Sequence, residues 1–257
     1  GINTILISPR RWGKTSLVKK VIAGNKRDDV KFVLVDMFYC KSEEAFYHLL
    51  ANEVIKQTSS KLDEWIENGK RFLSNITPKF SFGTDPLNDF SVSFEWNPKD
   101  DTDIEILQLP EKIAERKGIR VVVCFDEFQQ IDLFGDPVNF QRKVRSVWQH
   151  QQNTTYCLFG SKMHMMESMF SDSSKPLYKF GDIMFLKKIP TCEWVPFITR
   201  QFAATGKTIT TEQAERICGI TDNLSSYVQQ MAWIIWYKAE TNVKDEMIDE
   251  AVNDLLE

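Results

Sequence analysis

Lys14 and Thr15, an ammonium next to a hydroxyl, and Asp126 and Glu127, two adjacent carboxylates, are the residues of this chain best suited to phosphate chemistry. The first pair belongs to Ser8-Pro9-Arg10-Arg11-Trp12-Gly13-Lys14-Thr15-Ser16, which lies between an apolar run and a helical pattern. A loop in that setting turns successive backbone N–H groups toward an anion, and the helix N-terminus behind it adds positive potential. Lys14 then reaches the β- and γ-phosphates, and the Thr15 hydroxyl becomes a Mg²⁺ ligand. Gly13 lets the backbone approach a phosphate where a Cβ would obstruct it. Ser8 stands where the pattern has glycine, a steric cost if that position needs positive φ. The competing reading is a chance Gly-Lys-Thr in a loop, against which the strand before it and the helix after it both weigh.

The second pair closes Arg120-Val121-Val122-Val123-Cys124-Phe125-Asp126-Glu127. An apolar run without alternation suits a parallel strand covered on both faces. Carboxylates at the carboxyl end of such a strand fall in the crevice where open α/β sheets bind ligands. There Asp126 holds Mg²⁺ through its water shell, and Glu127 polarises the water that attacks a γ-phosphate. An ordinary Asp-Glu turn is the plain alternative. The adjacent Glu127 favours hydrolysis over transfer to a metabolite, since a nucleotide kinase needs no such base beside its metal aspartate.

The elements that must position these residues alternate between strand and helix through the first two thirds of the chain. Strands are expected at Thr4–Ile7, Lys31–Val35, Ile119–Phe125, Tyr156–Phe159 and Ile183–Leu186. Helices are expected at Thr15–Ala23, from Ser42 onward, at Asp103–Arg116 and at Pro137–His150. Period-two patterning around a Gly83–Asp89 loop predicts a hairpin over 78–96. After Pro190 the patterns are helical throughout, with a capping box at Thr210 and Gln213 and helix ends at Gly206 and Gly219. Alternation of this kind implies a mainly parallel, three-layered α/β core.

Composition narrows the functional classes. Of 257 residues, 42% are hydrophobic and 26% charged, enough to bury a core. A net charge of −4 carries no global basic footprint, so nucleic acid as a partner is not supported by charge. The cysteines (Cys40, Cys124, Cys157, Cys192, Cys218) are odd in number and lack CxxC spacing, which argues against a disulfide framework and for a reducing cytoplasm. No apolar run reaches membrane-span length. The start at Gly1, just before a strand-like run and without an initiator Met, reads as a truncated domain. His48, His150 and His164 have no metal spacing.

Taken together, Ser8–Ser16, Phe125-Asp126-Glu127-Phe128-Gln129, Phe159-Gly160-Ser161-Lys162 and Pro176-Leu177-Tyr178 resemble the archaeal and bacterial P-loop ATPase family of the AAA+/STAND-like group. The resemblance implies strand order 5-1-4-3-2, with the Tyr156–Phe159 strand between the two motif strands. It also implies that Ser161 is a polar sensor of the γ-phosphate or attacking water, although Ser161 also reads as a helix N-cap. The helical tail resembles the lid that follows such cores. Where the family has Gly-Arg after Pro-Leu-Tyr, this chain has Lys179-Phe180, which lacks a bidentate fork. Arg10 and Arg11 read as phosphate or subunit contacts, or as loop-rigidifying groups. Arg142 and Arg145 read as groups serving a neighbour's γ-phosphate, or as a solvated face.

The expectation is an α/β P-loop NTPase three-layer sandwich over 1–189, followed by a helical lid over 190–257. Its loop, Ser8, Pro9, Arg10, Arg11, Trp12, Gly13, Lys14, Thr15 and Ser16, binds ATP. Thr15 and Asp126 hold Mg²⁺, and Glu127, Lys14 and Ser161 serve slow hydrolysis that drives a conformational switch. ATP and ADP are its ligands, with a protein partner or self-association beside them. A nucleic-acid-associated switch and a non-hydrolysing scaffold are the alternatives.

Overall fold

In the computed structural model, residues 1–59, 64, 66–67, 79–81, 91–93 and 102–256 are described. They form two compact units, one of Gly1–Ser8 and Thr15–Phe185, the other of Pro9–Lys14 and Leu186–Glu257.

The first unit is built on a parallel five-stranded sheet of β1 (Thr4–Ile7), β2 (Val30–Asp36), β5 (Arg120–Asp126), β6 (Thr154–Gly160) and β7 (Asp182–Phe185). Their order is β2-β5-β6-β1-β7, which is 5-1-4-3-2 when the five are counted by themselves. β6 therefore lies between the strands that lead to the two motifs, with Thr4 opposite Cys157 and Val121 opposite Thr154. The expected hairpin is present as the antiparallel pair β3 (Lys79–Ser81) and β4 (Ser91–Ser93). Its Gly83–Asp89 loop lies outside the described residues.

β5 is a central strand for a physical reason. Val121, Val123 and Phe125 are fully buried, and helices α2 (Glu43–Thr58), α3 (Thr102–Lys117) and α4 (Pro137–Trp148) supply side chains to the same core. Phe125 stacks on Phe46 and on Trp148, each at 5.5 Å between ring centroids, and Trp148 stacks on Tyr156 at 3.9 Å. Each such pair contributes about 0.5–1.5 kcal/mol beyond its burial. Ladder and stack together fix the backbone one residue before Asp126.

Two elements were not foreseen. A 3₁₀ turn at Phe128–Leu133 follows Glu127, and α5 (Met163–Ser171) carries Met163, Met165, Met166 and Met169, of which Met166 and Met169 are buried.

The second unit carries α6 (Thr191–Ala203), α7 (Thr211–Ile220), α8 (Ser225–Lys238) and α9 (Asp245–Leu256) around Trp194, Ile198, Ile217, Met231, Ile235 and Ile248. The capping box before α7 is complete: Gln213 N donates to Thr210 Oγ1 at 3.2 Å, and Thr210 N donates to Gln213 Oε1 at 3.1 Å. Gly206, at φ 75°, closes the turn after α6, where Lys207 N donates to Phe202 O at 3.1 Å. Gly219 does not end α7. The helix runs to Ile220, and Asp222 and Asn223 take the left-handed conformation instead, at φ 49° and 54°. Short polar side chains tolerate that region better than most.

Candidate functional site

The loop Ser8–Gly13 joins β1 to α1 (Lys14–Gly24). Its positive φ values fall on Arg11 (68°) and Gly13 (91°), and not on Ser8. The serine in a glycine position is therefore unstrained, and it is 1% exposed. Lys14 is buried, and its ammonium donates to the Pro9 carbonyl at 2.9 Å, curling the loop back on itself. Within the second unit, Arg11 donates to the Tyr227 hydroxyl and lies 5.0 Å from the centre of that ring, while Ser226 N donates to Arg11 O at 3.3 Å. The partner of Arg11 is thus an aromatic hydroxyl and not a carboxylate. A Cβ on Gly13 would lie 3.9 Å from that of Ser225, so the need for glycine there is conformational.

Thr15, in the first turn of α1, donates from Oγ1 to Asp126 Oδ2 at 2.6 Å. The start of α1 and the end of β5 thus meet through a hydroxyl and a carboxylate, the oxygen donors a hard cation takes. Asp36 stands opposite Asp126 in the β2–β5 register. Burial pushes the Asp126 carboxyl above the ordinary aspartate range, while the bonds from Thr15 and from Glu127 N–H favour its charged form and oppose that shift.

Glu127 takes the left-handed conformation, at φ 52° and ψ 42°. A non-glycine residue there costs about 1–3 kcal/mol, and such residues cluster at functional sites. The turn directs its carboxylate toward the end of β6. Ser161 Oγ donates to Glu127 Oε2 at 2.8 Å, Ser161 N approaches the same oxygen at 3.4 Å, and Gln129 Nε2 also donates to it. Ser161 does not cap α5: the capping position is Lys162, without a side-chain bond, and the serine hydroxyl is spent on Glu127. The structure thus brings together Thr15 with Asp126, and Glu127 with Ser161.

The remaining candidates divide. Arg145 donates to the carbonyls of Pro176 and Tyr178, at 2.9 and 2.6 Å, so it holds the Pro-Leu-Tyr turn of its own chain. Arg142 and Arg10 are exposed. Lys179, at φ 54°, places its ammonium 5.2 Å from the centre of the Tyr178 ring. Gln129 is the residue that sequence reasoning passed over. It belongs to the quoted Phe-Asp-Glu-Phe-Gln motif, but only the turn at Glu127 brings it back to the carboxylate.

Among the described residues no group of three or more His, Cys, Asp or Glu could hold a metal ion, and no helix is long and apolar enough to cross a membrane. No protein-family model matches the chain, and no curated protein does. Solved structures do match, each over 98% of this chain. The Walker-type ATPase of Pyrococcus abyssi matches with a TM-score of 0.68 at 17% identity, over 66% of its own length. The Aeropyrum pernix ORC2 protein, in its ADPNP–ADP complexes, matches with a TM-score of 0.63 at 14% identity, over 61% of its length. Cdc6p from Pyrobaculum aerophilum gives 0.61 at 10% identity, over 60%. The chain thus spans somewhat less than two thirds of the structures it matches. At such identities the likeness is one of fold, and the fold of this chain is the P-loop NTPase α/β sandwich.

Proposed function

We propose that the chain is a Mg²⁺-dependent ATP-binding protein with slow hydrolysis, used as a nucleotide-driven switch. The observation that carries this reading is the convergence of two chain segments far apart in sequence on one pair of oxygen donors, Thr15 Oγ1 and Asp126 Oδ2, directly after a buried lysine. That donor set suits a small hard cation with several waters of its own. Bound there, Mg²⁺ would neutralise charge on the phosphates.

In this reading the loop Ser8–Ser16 binds the phosphates through its amides, with Lys14 reaching the β- and γ-groups in place of the Pro9 carbonyl. Glu127 orients the attacking water and takes its proton. Ser161, already bonded to Glu127, senses the γ-phosphate, so that loss of this group changes the contacts of both. Such a change is the local event that a switch needs. The helices after Pro190 serve as the lid, with 1–189 and 190–257 as the working division of the chain.

The test is a comparison of wild type with Glu127→Gln. Equal ATP affinity and a turnover lower by about 10²–10⁴-fold are expected, the usual weight of a general base. If both proteins bind ATP and neither exceeds background hydrolysis, the enzymatic reading fails and a nucleotide-holding scaffold replaces it.

A further inference from the structure

We infer that Gln129 is a positioning residue for the proposed hydrolysis: its amide fixes which oxygen of Glu127 faces the attacking water, and Gly160 exists as glycine to make room for that amide. The inference rests on the functional reading above and adds to it roles for Gln129 and Gly160.

Gln129 is 2% exposed, and its Nε2 donates to Glu127 Oε2. Its own Oε1 is buried with no hydrogen-bond partner among the described residues. A buried amide with an unmade bond is poorly placed for stability, and such groups in native proteins call for a functional explanation. Turning the amide over would satisfy nothing, because its oxygen would then oppose the carboxylate. The orientation is set by Glu127.

The donors to Glu127 all choose the same atom. Ser161 Oγ, Ser161 N and Gln129 Nε2 converge on Oε2, and among the described residues none reaches Oε1. A carboxylate held through one oxygen presents the other in a fixed direction, the requirement for a base that must take a proton from one water. Two donors from different elements, the end of β6 and the 3₁₀ turn, prevent rotation better than either alone.

Gly160 supplies the independent observation. A Cβ at this position would overlap the Gln129 amide oxygen and come within 3.1 Å of both its Cδ and the Met166 Sδ. Gly160 is the last residue of β6 and has no positive φ, so its backbone conformation is open to any residue. The space belongs to the amide. One methyl group at 160 would push Gln129 off Glu127 without altering any polar group.

The experiment is steady-state ATP hydrolysis by wild type, Gln129→Met, Gly160→Ala and the double variant, with ATP affinity and the unfolding midpoint measured for each. Gln129→Met keeps length and loses the donor. Its kcat should fall at least tenfold while KM and ATP affinity stay within twofold, a split that a general loss of structure would not produce. Gly160→Ala should reproduce that split, and the double variant should be no slower than the slower single, because both changes remove one contact. A Gln129→Met kcat within twofold of wild type overturns the inference, as does a parallel fall in kcat, ATP affinity and midpoint. Multiplying effects in the double variant overturn the role given to Gly160. Should Gly160→Ala not fold, Gln129→Met alone decides. A wild type that binds ATP without turnover overturns the hydrolytic reading first and the inference with it, an outcome distinct from the others.

Discussion

The Thr15 hydroxyl and the Asp126 carboxylate are 111 positions apart in sequence and 2.6 Å apart in space. Replacing Thr15 by Val keeps the shape and removes the donor. A hydrogen bond to a charged group is worth about 1.5–3 kcal/mol, and a loss of that order is expected on urea unfolding. In the functional reading, Mg²⁺-dependent ATP affinity should fall at least tenfold in Thr15→Val and stay near wild type in Thr15→Ser. Equal ATP affinity of Thr15→Val and wild type in Mg²⁺ would remove Thr15 from the metal site.

The loop offers a second comparison. Positive φ rests on Arg11 and Gly13, so restoring the motif glycine by Ser8→Gly relieves no strain. ATP affinity should not improve, and stability should drop by about 0.5–1 kcal/mol through the freer unfolded chain. Gly13→Ala, in contrast, forces a Cβ into φ 91° and should lower stability by about 1 kcal/mol or more, with ATP binding falling too. Isothermal titration and thermal melts of the two variants separate these outcomes. A gain in affinity for Ser8→Gly would contradict the backbone geometry.

Glu111 predicts a pH effect far from the loop. Its carboxylate accepts from Gln152 N at 2.9 Å, from Asn153 N at 3.0 Å and from Asn153 Nδ2 at 3.1 Å, fastening the turn that enters β6. Burial acts to raise this carboxyl, but the N–H groups of Asn153 and Gln152 outweigh it and hold it below the ordinary glutamate range. A depressed acid stabilises the fold above its unfolded pKa, about 4.3, and that share is lost as pH falls through the lower native value. The group is partly exposed, so its share is within about 1 kcal/mol. The melting temperature of wild type should exceed that of Glu111→Gln at pH 7, and the gap should narrow as pH falls below the unfolded value of about 4.3. A gap that stays constant or widens on acidification would contradict the assignment.

What the amino-acid pattern revealed follows from how local each signal is. The unbroken apolar run Val121–Phe125 announces a strand buried on both faces, and the Thr210/Gln213 pair announces a helix start; both depend on neighbours within a few residues. Strand order came from resemblance, since no local pattern says that β6 separates β1 from β5. The 3₁₀ turn at Phe128–Leu133 is too short to carry a period, and α5 hides because Met163, Met165, Met166 and Met169 offer little polar contrast. Gln129 was invisible for a deeper reason. Its approach to Glu127 depends on a left-handed backbone at a glutamate, a conformation that residue type alone argues against. Arg145 looked available from its charge, yet two carbonyls of its own chain take it.

The register of β1 also has a bearing on synthesis. Thr4 lies beside Cys157 and Asp182, so β1 leaves the ribosome about 150 and 180 residues ahead of its neighbours. At elongation rates of about 5–20 residues per second, Thr4–Ile7 waits roughly 8–35 s as an unpaired apolar segment. Until β6 and β7 emerge, β1 has no strand of its sheet to pair with. In the functional reading, a nucleotide can therefore stabilise only a chain whose parallel sheet is complete.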